Sequence, residues 1–78
     1  MRIEINKYII ADNNICHGQP TFKGTRIMVW QVIDLLAAGV PINEIIKDYF
    51  PSLNKEAILA ALAYASETIG GERYVSFR

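Results

Sequence analysis

The stretch "TFKGTRIMVWQVIDLLAAG", Thr21 to Gly39, decides the fold, because the apolar period changes inside it. As far as Ile27 it reads as a short strand broken at Lys23-Gly24, where the glycine signals a turn. From Val29 onward the apolar residues Val29, Val32, Ile33, Leu36 and Ala37 recur at i, i+3, i+4, i+7 and i+8. That spacing lines one face of a helix with 3.6 residues per turn. Gly39 follows where a helix commonly stops in a left-handed position.

Working outward, the chain is β-rich before this stretch and helical after it. In "IEINKYIIAD" (3–12), Ile3, Ile5 and Ile9 can share one strand face, and Asn13-Asn14 carry turn chemistry. "HGQP" (17–20) is a second turn signal, so the first third reads as one or two small hairpins. Beyond Gly39, Pro41 suits the first position of a second helix, with Ile42, Ile45, Ile46 and Tyr49 as its apolar stripe and Pro51 as its end. Asn54 is an N-cap for a third helix, and Glu56 suits the positive end of its dipole. Ile58, Ala61, Leu62, Ala65 and Ile69 form the buried face, and Gly70-Gly71 is the stop. The expected fold is mainly α with a short N-terminal β-hairpin. Its three helices have joints compatible with a helix-turn-helix core, and equally with any small helical bundle. Residues 1–70 are expected to form one domain and residues 71–78, "GERYVSFR", a C-terminal tail.

Seventy-eight residues allow one small core, and cores of that size gain from pairing with another chain. The net charge is zero, so no charge excess advertises a nucleic-acid partner. The charges are unevenly spread, however. Arg2, Lys7, Lys23 and Arg26 outweigh Glu4 and Asp12 before Val29. Asp34, Glu44, Asp48, Glu56 and Glu67 outweigh Lys47 and Lys55 in the helical part. A single cysteine, Cys16, excludes an internal disulfide. The start lacks the pattern of a signal peptide, and no apolar run approaches the ~20 residues a bilayer needs, so a cytoplasmic protein without a membrane partner is expected.

Most chemistry fails on spacing. A phosphate-binding P-loop needs a lysine after its second glycine, but Lys23 precedes Gly24. A metal site needs three or four ligands, and one Cys beside one His does not supply them. If Cys16 and His17 lie on a strand, their side chains point to opposite faces, which also denies a nucleophile–base pair. Cys16 reads as a small core residue and His17 as a turn or surface residue. The helical carboxylates read as solvated faces, so neither an enzyme, a cofactor nor a bound metal is expected.

Nucleic-acid binding is harder to set aside. The third helix offers Asn54 and Lys55 at its start, then an outer face of Leu59, Ala60, Ala63, Tyr64 and Ser66 that suits burial against a second copy more than base edges. A duplex is better met by the first third, where Lys23, Thr25 and Arg26 cluster. Arg26 has two open readings: a phosphate contact, or a pair with a carboxylate of its own fold. Trp30 reads as core.

These residues also carry a resemblance. Gly18 and Pro20; Gly24, Thr25, Arg26 and Ile27; Leu36 and Gly39; Ile42, Glu44 and Ile45; Tyr49, Pro51 and Leu53; and Ile58, Ala60, Ala61, Leu62, Tyr64 and Ala65 stand at matching spacings over about Ile9 to Glu67. In that pattern the chain resembles domain-of-unknown-function family 433, small prokaryotic proteins similar to antitoxins of the Vap-B type. It departs in two places: Phe50 is inserted between Tyr49 and Pro51, and Asn54 stands where threonine is usual. The resemblance implies a homeodomain-like or winged-helix-type fold. It also implies an antitoxin that neutralises a PIN-like nuclease toxin and binds operator DNA as a homodimer. On that reading Lys23, Thr25, Arg26 and Lys55 are the DNA-binding residues. By tail position and charge, Arg73 or Arg78, beyond the glycine break, is the residue to enter a carboxylate-lined nuclease site as a partner contact. The alternative is a protein-interaction module without DNA binding.

Overall fold

In the computed structural model the described residues are 1–70. The tail expected over 71–78, with Arg73 and Arg78, lies outside them. The first third forms one antiparallel sheet of three strands, β1 (Arg2–Glu4), β2 (Ile9–Asp12) and β3 (Thr21–Phe22), in the order β1-β2-β3. It is therefore a meander of three strands, two hairpins in succession, where the sequence suggests one or two. The turn that separates β1 from β2 is made by Asn6, whose Oδ1 accepts from the N–H of Tyr8 (2.8 Å) and of Ile9 (3.0 Å). Such a side-chain-to-backbone turn competes with strand continuation. Asp12 ends β2 in the same way, its carboxylate accepting from the Asn14 N–H at 2.9 Å.

Cys16 and His17 do not lie on a strand. They sit in a tight turn with φ of 52° and 58°, followed by Gly18 at 84°, so three successive residues are left-handed. Cys16 is half-buried, and its thiol reaches the Arg26 carbonyl at 3.5 Å. The next reversal is built on Gly24, at φ +81°. Thr25 locks it: its hydroxyl donates to the Phe22 carbonyl and accepts from the Ile27 N–H, both at 2.9 Å. The Phe22 N–H closes the loop on the Ile27 carbonyl at 3.0 Å.

Helix α1 (Val29–Ala37) starts where the Gln31 side chain accepts from the Met28 N–H at 2.9 Å, and Gly39 turns the chain out of it at φ +92°. Pro41 stands immediately before α2 (Ile42–Glu44), one residue earlier than expected. The helix then widens into a π-helical turn over Ile45–Tyr49, and the Phe50 N–H bonds the Ile45 carbonyl at 2.7 Å across five residues. A π-turn is what a helix forms when it must hold one extra residue. It falls where the resemblance places the inserted Phe50. Helix α3 (Lys55–Ile69) is capped by Asn54, whose Oδ1 accepts from the Ala57 N–H at 2.8 Å, and it ends at Gly70.

The core lies between the sheet and the helices. Ile9, Phe22, Val29, Val32, Ile45, Leu53, Ala57, Ile58 and Ala61 form it, each large side chain contributing roughly 1.5–3 kcal/mol of burial free energy. Ile10 and Thr21 are buried as well, on the opposite side of the sheet from Ile9 and Phe22 by strand alternation. Several apolar residues lie elsewhere than expected. Trp30 is 53% exposed, because it sits one residue, and so about a quarter turn, off the Val29–Val32 stripe. Ile3 is 56% exposed at the sheet edge. Leu62 and Ile69 are exposed too, since the buried face of α3 is centred on Ala57, Ile58 and Ala61.

Candidate functional site

Two surfaces collect the residues of interest. The first is a hollow of about 220 Å³ where the Gly24 turn meets the start of α3. Lys7, Tyr8, Lys23, Thr25, Ser52 and Asn54 line it. The fold thus brings Lys23 and Thr25 together, from opposite sides of Gly24, and sets them beside the N-terminus of α3. Arg26 and Lys55 do not line the hollow, although both are exposed nearby in sequence. Lys7 was not legible as a site residue, since only the Asn6 turn swings it beside Lys23.

The polar groups of this hollow are partly committed. Lys23 Nζ lies 3.5 Å from the Glu4 carboxylate, which also meets Arg2 at 3.6 Å. These are half-exposed pairs of the kind that contribute little and rearrange easily. Lys7 Nζ stands 5.5 Å from the centre of the Tyr8 ring, a cation–π distance. The Thr25 hydroxyl proton is held by the Phe22 carbonyl, so this residue offers an anion no donor and shapes the turn instead. Arg26 makes no ion pair among the described residues. Two lysines beside a helix N-terminus suit an anionic group chemically.

The second surface is apolar. A groove of about 420 Å³ runs between α1 and the last turns of α3, lined by Trp30, Ile33, Ala37, Tyr64, Ala65 and Ile69. Among the described residues, Asp34 is the one acidic or basic side chain on its walls. Trp30 also borders a shallower hollow of about 320 Å³ with Leu35, Tyr49 and Phe50, so its ring forms the ridge between the two. The indole N–H points back at Met28 Sδ, 3.3 Å away, which leaves the ring's edge and face to solvent. Ile69 is 85% exposed, and Leu59 and Leu62 extend the apolar surface along α3. A half-exposed tryptophan beside apolar hollows has the composition of the centre of a protein–protein interface.

Among the described residues no cluster of His, Cys, Asp and Glu could hold a metal ion, and no helix is long and apolar enough to cross a membrane. Residues 9–65 match the family DUF433, described as a protein of unknown function. That span is most of the chain, and the chain belongs to this family. No curated protein and no solved structure matches it.

Proposed function

We propose that this member of DUF433 is an antitoxin-like binding module of a toxin–antitoxin pair. It holds a PIN-like nuclease toxin and binds operator DNA as a homodimer. The observation that carries the reading is the Trp30 face, where a half-exposed tryptophan stands between two apolar hollows of a small domain. Apolar surface of this kind gains free energy when a protein covers it. α3 ends at Gly70, with Ile69 on the wall of the groove, and Arg73 and Arg78 follow in sequence. Either guanidinium would neutralise the carboxylates of a metal-dependent nuclease site.

In this reading α2 with the π-helical turn that continues it, and α3, joined through Phe50–Asn54, act as a helix-turn-helix pair. The duplex backbone meets Lys7 and Lys23 at the hollow, with Arg26 on the outer side of the same turn and Lys55 on the first turn of α3. Thr25 serves by holding the turn. The second reading, a protein-interaction module without DNA binding, is favoured by the Lys23–Glu4 pair and the acidic helical part, both of which work against a phosphate backbone.

The test is nuclease inhibition by the full chain, using the product of the adjacent gene, together with fluorescence anisotropy on duplex from immediately upstream of the chain's own gene. Inhibition that is lost in Trp30→Ala, with native duplex bound more tightly than a scrambled one at physiological salt, supports the whole reading. Inhibition without sequence-selective DNA binding supports the second. Full inhibition by Trp30→Ala and by a chain ending at Gly70 refutes the assignment of the toxin to this face.

A further inference from the structure

We propose that the free edge of β1 is a dimer interface, occupied by β1 of a second copy of this chain in antiparallel pairing. The proposal supplies the surface for the homodimer in the functional reading above and does not depend on a toxin or on DNA. β1 stands at the end of the strand order, so one side of it is unpaired among the described residues.

The backbone fixes which groups face outward. The Asn13 N–H bonds the Met1 carbonyl at 3.1 Å, and the Ile5 N–H bonds the Ile9 carbonyl at 2.9 Å. With the register Ile3↔Ala11, these bonds mark the odd positions of β1 as the ones hydrogen-bonded to β2. Arg2 and Glu4 therefore turn their N–H and C=O groups toward the free edge. In a symmetric antiparallel pair, those two residues must form the hydrogen-bonded rungs.

Only one symmetric register then agrees with the charges. If Arg2 faces Arg2 of the second copy, or Glu4 faces Glu4, like charges stand directly opposed, which is unfavourable. If Arg2 faces Glu4 of the second copy, both rungs carry opposite charges. Ile3 then meets Ile3 of the second copy on the two-fold axis, as the non-hydrogen-bonded pair with the closer side chains. Ile3 is 56% exposed in the single chain, so this contact covers apolar surface that the fold leaves open. Natural sheets protect edges with short strands and with charges that repel a copy of themselves. "RIE" is short, but under two-fold symmetry its charges attract.

Strands of three residues bury little area, so the dimer is a weak one that builds up with concentration. The test is sedimentation equilibrium on the full chain, with nothing appended before Met1, over a concentration series into the hundreds of micromolar. Arg2→Glu converts the strand to two acids and Glu4→Arg converts it to two bases. Each should weaken self-association by about tenfold or more, because both rungs of the dimer turn repulsive. An equimolar mixture of the two variants should recover association, since each supplies the charges the other lacks. Hydrogen exchange at the Arg2 and Glu4 amides of the wild type should slow as concentration rises. Circular dichroism establishes that both variants are folded. A wild-type chain that stays monomeric throughout overturns the proposal and the dimeric reading together. Self-association that neither variant changes overturns the β1 interface alone and leaves the dimer to another surface.

Discussion

Thr21 provides the sharpest test of the packing. Its side chain is fully buried, and its Oγ1 has no hydrogen-bond partner among the described residues. A buried hydroxyl left unpaired costs roughly 1–3 kcal/mol relative to one in water. Valine has the same shape and the same preference for a strand, so Thr21→Val removes that cost without opening a cavity. The expected gain is about 1–2 kcal/mol. In a domain of this size it raises the melting temperature by roughly 4–8 °C per kcal/mol. Thr21→Ser is the control, because it keeps the hydroxyl and deletes a methyl group, and it should lose about 1 kcal/mol. Thermal and urea unfolding followed by circular dichroism measure both. A Thr21→Val protein that melts below the wild type would show that the hydroxyl is satisfied and that the burial of Thr21 does not leave it without a partner.

Four further outcomes are expected. Asn54→Ala should lose about 1 kcal/mol in urea unfolding, while Asn54→Asp, which keeps a capping oxygen, should lose little. Gly24→Ala meets open space, so its loss of about 1–2 kcal/mol should come only from the left-handed backbone. Trp30→Ala should shift the unfolding midpoint by less than about 1 kcal/mol, because half of the ring is already in solvent, and, if this face seats a toxin, should still abolish inhibition. If the hollow holds duplex phosphates, Lys7→Ala and Lys23→Ala should each lower the salt slope of DNA binding by about 1, and unchanged slopes would remove these lysines from the contact.

The helices were legible because their signals are local. The Val29–Val32–Ile33–Leu36 period, the Asn54 cap and the stops at Gly39 and Gly70 depend on residues within one or two turns, and the structure has them in place. The sheet was less so. The division of its first segment into β1 and β2 depends on Asn6 breaking "IEINKYIIAD" in two, and an asparagine at that position also fits a continuous strand until its side-chain bonds are seen. The left-handed turn at Cys16-His17 had no signal except Gly18, because two non-glycine residues hold that conformation against a penalty of about 1–2 kcal/mol each. The hollow was half legible: Lys23 and Thr25 announce themselves beside Gly24, but Lys7 joins them only through the fold.

Trp30 shows why a surface is harder to read than a core. Size and hydrophobicity argue for burial, and the apolar period of its own helix argues against it, since Trp30 falls outside the stripe that Val29 and Val32 begin. Periodicity and residue type disagree at that position because a monomer's core is only one of two places where a large apolar side chain is stable. The other is a contact with a second molecule. The same disagreement recurs at Leu59 on α3, while Ile69 and Ile3 fit the apolar period of their elements and are exposed all the same. In a domain too small to cover them, such exposed apolar side chains are the candidates for contact with a second molecule. A substitution series separates the two roles. Alanine at Val32 or Ile58 should cost about 1–5 kcal/mol in stability, and alanine at Trp30, Leu59 or Ile3 should cost little. If the second group destabilises the isolated chain as strongly as the first, these side chains belong to the core after all, and the assignment of partner surfaces to them fails.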